Sequence, residues 1–570
     1  MHRTDPSRPG TRSHHRLAPI GLLAAAALAL LGPVPISSAA PPSPGARLAE
    51  TAAPRTFNAE PLGQPPAGAT TNGNVTVANR FNSSTDRAVF LSDHDPKSQT
   101  RALFPAPAAH SRHLEFDLAV TAWEAPAIIS LRGSGENAAL GAFRVLLTPN
   151  AADTTVAVHN GTSWVNAGTV PGTLRNVWRH VSIDVTPNLL SFTLNGRRIS
   201  TATRASATSA ITGIEFASSG TEAVMSSQQV DNLVMHSTVV ATDSPLSQKD
   251  GPSGRFPDVT KLPNGKLVAV YHSASGHVQA SGDIKMVTSS DGGVNWTAPR
   301  MINDGTIPDG NFDSRDPKIT ALRDGTLLVS FFSTHWPDQK QHGVHVMRSS
   351  DGGATWSAAV KAGTALDDGG ASHGPAVELA NGEVLLPLYG HIGSEPFRAT
   401  VVRSTDGGRT FAASTETTIG SSGAHWLEPN ISALPDGSLV SLIRMSDISN
   451  VGTGIPARLS RSTDNGHTWS TPQVTDIAAS SHHQLVTSSG KLLLTYGAIS
   501  PATRPTMGQL IDNPSGSWNA IPDRRIYDTG RGDQANPSSV EVSPGRYLTL
   551  GYDVTARTVE AVFSTDAEYR

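Results

Sequence analysis

Hydrophobic and polar residues alternate with a period of two in short runs throughout residues 72–237. Examples are HLEFDLA from His113 to Ala119 and HVSIDV from His180 to Val185. This alternation is typical of strands with one buried face. Turn residues separate the runs, and Asn195-Gly196 is a strong hairpin signal. The pattern predicts an antiparallel β-sandwich over residues 72–240.

After residue 240, a turn glycine followed by an apolar strand recurs six times. The glycines are Gly265, Gly325, Gly382, Gly437, Gly490 and Gly545, in phrases such as LPNGKLVAVY and LPDGSLVSLIR. Their spacing runs from 53 (490 − 437) to 60 residues (325 − 265), which holds about four strands with their turns. Because such units bury their faces only against each other, the repeat predicts a six-bladed β-propeller over residues 241–570.

A second motif, S-x-D-x-G-x-x-W, interleaves with the first. It occupies Ser289–Trp296, Ser349–Trp356, Ser404–Phe411 (with Phe for Trp) and Ser462–Trp469, and a degenerate copy runs from Asp512 to Trp518. Its Ser and Asp side chains suit hydrogen bonds to neighbouring amides, and its glycine suits a positive φ. We expect a tight hairpin at each copy.

Residues 1–71 contain two further segments that the sequence identifies. Four arginines precede an apolar run from Leu17 to Leu31, and Ser38-Ala39-Ala40 follows it. We therefore expect residues 1–40 to be a secretory signal peptide, which is too short for a membrane anchor. Residues 41–71, rich in Pro and Ala, are expected to be a linker.

The composition excludes several classes of fold and of functional site. The 570 residues include 52 glycines, 40 prolines and only 16% charged residues, which argues against helical bundles and coiled coils. The net charge is −4, so the chain does not have the excess of positive charge that is typical of nucleic-acid-binding proteins. The lack of cysteine excludes thiolate zinc sites and cysteine nucleophiles. We expect a secreted, extracellular bacterial protein and a monomer, without cofactor, metal, nucleic-acid partner or membrane insertion.

Polar residues stand just upstream of each glycine phrase. The six elements are Arg255-Phe256-Pro257-Asp258, Arg315-Asp316-Pro317, His373-Gly374-Pro375, Glu428-Pro429-Asn430, His482-His483-Gln484 and Asn536-Pro537-Ser538. The innermost strand of each blade would begin there, so these side chains would converge on one funnel. A ring of this kind suits a polar, anionic or sugar ligand, and we expect Asp258, Arg315, His373 and His483 among its contacts.

The repeated boxes resemble the Asp-boxes of the sialidase (neuraminidase) superfamily, in its bacterial BNR-repeat branch, over residues 245–570. That family places them at the blade periphery, without chemistry. The string WRHVSIDVTPNLLSFTLNGRRI, closed by VDNLVMH, resembles concanavalin-like jelly-roll domains, which often bind glycans. Trp123, Trp164 and Trp178 would suit sugar stacking, but we expect them to be core residues.

The sialidase resemblance implies roles for particular residues. Arg255, in Arg255-Phe256-Pro257, Arg444 and Arg504 resemble the family's three carboxylate-binding arginines, and Glu428 resembles its catalytic-pair glutamate. Two positions depart from the family. Asn536-Pro537 stands where the nucleophilic tyrosine begins the sixth inner strand, and Asp283 is the only aspartate available before the first box, where the acid is expected. We take Glu428, Asp283 and Asp316 as candidate catalytic residues.

Three functions follow from these residues. The resemblance implies an exo-glycosidase, sialidase-like, that removes terminal acidic sugars from glycans. One alternative is an arabinanase-type propeller acting on a non-sialic sugar, in which Glu428 pairs with Asp316, Asp258 or Asp533. The other is a non-catalytic glycan-binding propeller, or a lyase whose base is His373 or His483.

Overall fold

The structure is a computed structural model that describes residues 54–95, 99–122, 126–133, 143–159, 162–201, 210–218, 226–244, 248, 251–278, 281–305, 312–499 and 503–570. All of them belong to one compact unit, residues 49–570. The described ranges are all-β and contain three short 3-10 helices (Asp367–Gly369, Ala413–Thr415 and Asp566–Tyr569) but no α-helix. Within them, no helix has the length and hydropathy needed to cross a membrane. The expected signal peptide lies outside the described residues.

Fourteen strands build the N-terminal region. They are β1 (Thr70–Asn72), β2 (Asn74–Asn79), β3 (Arg87–Asp93), β4 (Arg101–Ala109), β5 (Arg112–Ala122), β6 (Ala127–Gly133), β7 (Phe143–Pro149), β8 (Asp153–His159), β9 (Trp164–Pro171), β10 (Arg179–Val185), β11 (Leu190–Leu194), β12 (Arg197–Thr201), β13 (Ile211–Ser218) and β14 (Ser226–Ser237). They form two seven-stranded sheets, β1-β4-β13-β6-β7-β8-β9 and β12-β11-β10-β5-β14-β3-β2.

The two sheets share one hydrophobic core. Alternate residues of β5, Leu114, Phe116 and Leu118, are fully buried and face Phe216 of the other sheet in that core. The rings of Phe116 and Phe216 lie edge to face at 5.0 Å. The period-two pattern of the sequence thus corresponds to the buried faces of the strands.

Two expectations for this region are wrong. The sandwich begins before residue 72, because Phe57 is fully buried in its core and Arg55 forms a β-bridge with Leu233. Residues from 54 onward are therefore not linker. Trp164 and Trp178 are not core residues either: both are half-buried, and each lies under an arginine, Arg144 at 5.3 Å and Arg80 at 4.2 Å. Trp123 lies outside the described residues.

Among its described residues, the C-terminal region contains six antiparallel sets of four strands, of which the first two are joined into one sheet by a parallel pair, Gly282 and Asp313. The first five are β16 (Ser253–Lys261), β17 (Leu267–Ala274), β18 (Gly282–Ser289) and β19 (Arg300–Asn303); β20 (Phe312–Ala321), β21 (Leu327–His335), β22 (Lys340–Ser349) and β23 (Val360–Lys361); β24 (Val377–Glu378), β25 (Val384–Gly390), β26 (Arg398–Ser404) and β27 (Thr417–Gly420); β28 (His425–Ala433), β29 (Leu439–Asp447), β30 (Asn450–Ser462) and β31 (Gln473–Val474); and β32 (Ala479–Val486), β33 (Leu492–Ala498), β34 (Thr506–Ile511) and β35 (Arg524–Tyr527).

The sixth set joins both ends of this region. It contains β36 (Ser538–Ser543), β37 (Arg546–Asp553) and β38 (Thr558–Thr565), and its fourth strand is β15 (Val239–Thr242). β15 pairs with β38, and β36 packs against β16 of the first set, so the series of sets closes on itself. The closing strand straddles the expected boundary at residue 240, since it begins at Val239.

Both repeated motifs lie at turns. Each of the six repeated glycines connects the first two strands of its set with a positive φ between 70° and 86°, a conformation that side chains with Cβ disfavour. Each complete S-x-D-x-G-x-x-W copy connects the third and fourth strands. In the first copy, Ser289 Oγ accepts from the amide of Gly293 at 2.9 Å and Asp291 Oδ1 accepts from the amide of Asn295 at 3.0 Å. The expected hairpin turns are confirmed.

A polar interface joins the sandwich to the sixth set. Ser111 Oγ of the sandwich donates to the buried carboxylate of Glu560, which also accepts from Tyr527 Oη at 3.1 Å. Arg546 Nη1 donates to Glu115 at 2.9 Å, and the ring of Phe563 packs 5.2 Å from that of His113. The sandwich therefore covers ionisable groups of the sixth set that would otherwise face water.

Candidate functional site

The first strands of three sets have the same local distortion where the sequence predicts the site. Phe256, Asp316 and Glu428 each precede a proline and have φ of 50°, 46° and 50°. Strand pairing shifts register at each of them. A left-handed conformation in a non-glycine residue costs on the order of 1–3 kcal/mol and is concentrated at functional sites. The three repeats thus have equivalent strained bulges at the positions where the sequence predicts the site.

A chain of polar contacts links residues of four sets. Arg444 Nη1 of β29 donates to Glu428 Oε1 at 2.5 Å, and Glu428 Oε2 lies 4.0 Å from His373 Nε2. The same His373 nitrogen is 3.1 Å from Asn536 Oδ1, and Asn536 Nδ2 donates to Asp316 Oδ1 at 3.2 Å. The fold therefore brings the predicted residues Glu428, Arg444, His373 and Asp316 into one network.

The second part of the site surrounds Asp533. Its carboxylate accepts hydrogen bonds from Arg255 Nη1 and from Tyr552 Oη at 2.7 Å, and lies 3.0 Å from His277 Nδ1. Burial acts to raise the pKa of Asp533, but these hydrogen bonds and the charge of Arg255 hold it below its usual value. Burial and the charge of Asp533 raise the pKa of the Tyr552 phenol well above normal. Asp533 therefore stays ionised, and Tyr552 stays protonated.

Arg504 and Arg315 complete the set of arginines. Arg504 donates to Ser480 Oγ at 3.0 Å and to the carbonyl of Ala535 at 3.3 Å, one residue from Asn536. Among the described residues it forms no ion pair. The guanidinium of Arg315 lies 5.6 Å from the ring centre of Phe256, and its Nε is 3.5 Å from Asp313 Oδ2.

Tyr389 enters the site from the second strand of the third set. Burial raises the pKa of its phenol, and the negative charges of Glu428 and Asp316 raise it further. The positive charges of Arg444 and Arg315 act in the opposite direction. Tyr389 therefore lies within electrostatic range of four residues that the sequence nominated.

Several polar atoms of this site have no partner among the described residues. They are Glu428 Oε2, Arg444 Nε, Arg255 Nε and His373 Nδ1, all buried. Buried polar groups are nearly always hydrogen-bonded, so these four atoms are left uncompensated by the described protein groups. No group of His, Asp and Glu side chains suited to a metal ion occurs in the part of the chain that the structure describes.

Three predicted residues make no described hydrogen bond to this network. Asp258 is buried and its Oδ2 accepts from the amide of Ile319 at 2.6 Å, so it joins neighbouring sets. His483 is buried, accepts from the amide of Ser539 at 3.2 Å, and burial lowers its pKa to about 3. Asp283 accepts from the amide of Gly305 at 2.9 Å, and burial raises its pKa. The charged neighbours that influence Asp283 are Asp304, Lys285 and His272, which the Glu428 network does not include.

Sequence reasoning missed both tyrosines and gave Asn536 no contact. Tyr389 and Tyr552 stand at the ends of apolar second strands, LLPLY and LTLGY, where they pass for core residues. The available signal was their equivalent position: each is the next-to-last residue of the strand that follows a repeated glycine. Asn536 replaces an expected tyrosine, and it bridges His373 and Asp316.

Comparison with known proteins finds a matching domain family over part of the chain and a solved structure with a similar fold. Residues 265–525 match the BNR repeat-like domain. A protein of unknown function from Dyadobacter fermentans is similar at 20% identity, covering 57% of this chain and 97% of that protein, with a TM-score of 0.50. At that identity the likeness shows a shared fold alone.

Two further solved structures have names that describe an activity. The Hadza microbial sialidase Hz136 is 14% identical over 81% of this chain and 95% of its own, with a TM-score of 0.47. The Penicillium chrysogenum α-L-arabinanase, complexed with arabinobiose, is 16% identical over 57% of this chain and 98% of its own, with a TM-score of 0.43. No curated protein matches the sequence.

Proposed function

We propose that this chain, which belongs to the sialidase and BNR-repeat superfamily through residues 265–525, is an exo-glycosidase that removes terminal, sialic-acid-like sugars from glycans. The six four-stranded sets would be the blades of a six-bladed propeller, and the two N-terminal sheets a concanavalin-like jelly roll. The protein would act outside a bacterial cell as a monomer, without a cofactor.

The observation that carries this proposal is the presence of three arginines, from three different sets, at the positions that the sequence nominated. Arg444 donates to Glu428, Arg255 donates to Asp533, which also accepts from Tyr552, and Arg504 donates to the carbonyl of Ala535, next to Asn536. Arg255 and Arg444 both retain an unpartnered Nε among the described residues. Guanidinium groups recognise carboxylates through paired N–H donors, so a carboxylate on the sugar fits this arrangement.

Tyr389 and Glu428 would supply the nucleophile that Asn536 cannot. In this scheme the Tyr389 oxygen attacks the anomeric carbon while Glu428 accepts the phenol proton. The glycosidic bond breaks as an acid protonates the leaving oxygen. We take Asp316 as this acid because its contact with Asn536 joins it to the same network as Glu428, which does not include Asp283. Water then attacks the anomeric carbon, which releases the sugar and returns the proton.

The test is turnover by a Glu428→Gln variant on sialyllactose, with released sialic acid as the readout. We expect turnover to fall about a hundredfold or more, as is usual for the loss of an acid–base group, because the amide that replaces the carboxylate accepts no proton. Glu395→Gln, at an exposed carboxylate in the neighbouring third set, is the matched control. Near-normal turnover by Glu428→Gln would show that Glu428 only pairs with Arg444.

A second candidate is an exo-glycosidase on a neutral sugar that uses Glu428 and Asp316 directly. One observation favours it: Arg255 and Arg444 each already hold a carboxylate of the protein, Asp533 and Glu428. A neutral sugar would need no further positive charge. Release of a neutral pentose from arabino-oligosaccharides, with no release of sialic acid from sialyllactose, would select this candidate.

A further inference from the structure

Asn536 is the central link of the polar network that contains Glu428 and Asp316. It is buried, and it precedes a proline, as those two carboxylates do. The two polar atoms of its amide make different contacts. Nδ2 donates to Asp316 Oδ1 at 3.2 Å, and Oδ1 lies 3.1 Å from His373 Nε2. Both sides of the amide are therefore bonded to residues that the sequence nominated for the site.

The surroundings of His373 decide where its proton lies. Nε2 has two acceptor oxygens near it, Asn536 Oδ1 at 3.1 Å and Glu428 Oε2 at 4.0 Å, whereas Nδ1 is buried without a partner among the described residues. Burial lowers the pKa of His373 well below its usual value, and the charge of Lys318 acts in the same direction. The ring is therefore neutral, with its one N–H on Nε2, and that N–H donates to Asn536.

The orientation of the Asn536 amide follows from that proton. Because its oxygen accepts from His373, its NH2 group is the side that meets Asp316 Oδ1. Among the hydrogen bonds between described residues, Asp316 takes part through Oδ1 alone. A carboxyl group whose Oδ1 accepts a hydrogen bond holds its own proton on the other oxygen, so the amide leaves Oδ2 of Asp316 to carry a transferable proton.

The backbone on both sides of Asn536 is anchored independently of its side chain. The carbonyl of Ala535 accepts from Ser481 Oγ of the fifth set at 2.8 Å. On the other side, Ser538 Oγ accepts from the amide of Val259 of the first set at 3.1 Å. A change of the Asn536 side chain therefore removes the contacts of the amide and leaves these anchors in place.

We propose that Asn536 is a positioning residue, whose amide fixes the carboxyl group of Asp316 so that Oδ2 delivers its proton to the leaving oxygen. As Oδ2 gives up the proton and the glycosidic bond breaks, negative charge develops on Asp316. The hydrogen bond from Asn536 Nδ2 to Oδ1 then becomes charge-assisted and stronger, which stabilises the carboxylate as it forms. This role rests on the proposed function for the assignment of Asp316 as the acid, whereas the orientation of the amide does not.

Two sialosides with different leaving groups test this role. Lactose must be protonated as it departs, whereas methylumbelliferone departs as a stable phenolate and needs little help from an acid. Asn536→Leu, which keeps side-chain volume without a donor or acceptor, should lower kcat/KM for sialyllactose roughly ten- to hundredfold, the size of one hydrogen bond to a charged group. For methylumbelliferyl sialoside the loss should be less than about threefold.

Two further variants support this comparison. Asn536→Ala, which leaves space in place of the amide, should show the same difference between the two substrates. Asn264→Leu, at an exposed asparagine in the turn between β16 and β17, is the matched control and should cleave both substrates as the wild type does.

The effect of Asn536 should also depend on Asp316. On an Asp316→Asn background, which has no acid to position, Asn536→Leu should cause no further loss of kcat/KM for sialyllactose. Equal losses for the two substrates, or a loss that is the same with and without Asp316, would show that Asn536 only holds neighbouring sets together. Either result would overturn the inference.

A spectroscopic measurement separates this inference from the proposed function. In protein with isotope-labelled histidine, the proton on His373 Nε2 should give an NMR resonance that disappears in His373→Gln. Its chemical shift should change in Asp316→Asn, and should change much less when the same substitution is made in Asn536→Leu. If no sialoside is cleaved but this dependence is observed, the proposed reaction is wrong and the positioning of Asp316 by Asn536 stands. If the proton lies on Nδ1, or its resonance does not respond to Asp316→Asn, the inference is overturned.

Discussion

At the scale of single residues, the site combines strained backbone with incompletely satisfied polar groups. Glu428 shows both features, with a φ of 50° and a buried Oε2 that lacks a partner among the described residues. Substituting a residue in a left-handed position changes backbone preference as well as chemistry. The isosteric change Glu428→Gln is therefore more informative than Glu428→Ala.

Arg504 is the best residue for testing recognition of an acidic sugar. It forms no ion pair in the described ranges, so its variants leave no carboxylate of the protein uncompensated. We expect Arg504→Ala to weaken binding of sialic acid by about 2–5 kcal/mol, and Arg504→Lys to weaken it nearly as much because the paired donors are lost. Titration calorimetry on a Glu428→Gln background measures this.

The control for this prediction is an exposed arginine far from the site, Arg197 on β12. Arg197→Ala should bind as the parent does. Unchanged affinity in both Arg504 variants would mean that this guanidinium does not touch the ligand, which would favour the neutral-sugar candidate.

At the scale of elements, the closing strand β15 decides where the C-terminal region can be cut. A truncation that removes residues 41–240 would take Val239 and Val240 from a strand that pairs with β38. An edge left without its partner exposes unpaired amides and carbonyls. A cut at the expected boundary of residue 240 would therefore divide β15.

We predict that a chain beginning at Ser237 is more stable than one beginning at Asp243, which lacks β15. The difference should be a drop of several degrees in Tm or loss of cooperative unfolding, because Val240 and Ala241 are buried in the core shared with β38. Thermal unfolding followed by circular dichroism measures it. Equal Tm values would show that β15 is dispensable.

At the scale of the whole molecule, the interface between sandwich and sixth set contains buried ionisable groups with shifted pKa values. Burial, together with the nearby Asp553, raises the pKa of Glu560 to about 7. Burial likewise raises the pKa of Glu568 to about 7, opposed by Arg198. Burial acts to lower the pKa of His113, but the charge and hydrogen bond of Asp184 outweigh it and raise that pKa to about 9.

The direction in which Glu560 changes folding stability with pH follows from proton binding. Between pH 4.5 and 7 the folded state binds more protons at Glu560 than the unfolded state does, so this group favours folding at low pH and the contribution is lost as pH rises. A shift from 4.5 to about 7 corresponds to roughly 3 kcal/mol. Burial lowers the pKa of His236 from 6.5 to about 3, and that residue acts in the opposite direction below pH 6.5.

Because the pH ranges in which these groups titrate overlap, the prediction concerns the difference in the free energy of unfolding between a Glu560→Gln variant and the wild type. Glu560→Gln should gain stability relative to the wild type as pH rises from 4.5 to 7, by about 3 kcal/mol at most. Urea unfolding at a series of pH values measures the difference, and Glu541→Gln, at a half-buried carboxylate on β36 of the same set, provides the control. A constant difference between Glu560→Gln and wild type would show that Glu560 does not titrate in this range.

Local patterns in the sequence determined the strands, the turns and the family. The period-two alternation, the six glycines and the repeated boxes act within about ten residues, where backbone sterics and local hydrogen bonds dominate. They were sufficient to predict an all-β chain, which the structure confirms, and the superfamily resemblance, which the BNR repeat-like match confirms. They also nominated Glu428, Arg444, His373 and Asp316, which the fold brings together.

Only the tertiary structure decided which polar residues reach the site. Asp258 and Asp316 occupy neighbouring repeats with similar sequences, but one is bonded to a backbone amide between strands and the other to Asn536. Tyr389 and Tyr552 belong to apolar strands, and their roles depend on Glu428 and Asp533, which are 39 (428 − 389) and 19 (552 − 533) residues away. The same holds for β15, which completes the sixth set from the other end of the region. Such contacts join distant parts of the chain, so their geometry depends on how the sets close around one another rather than on any local pattern.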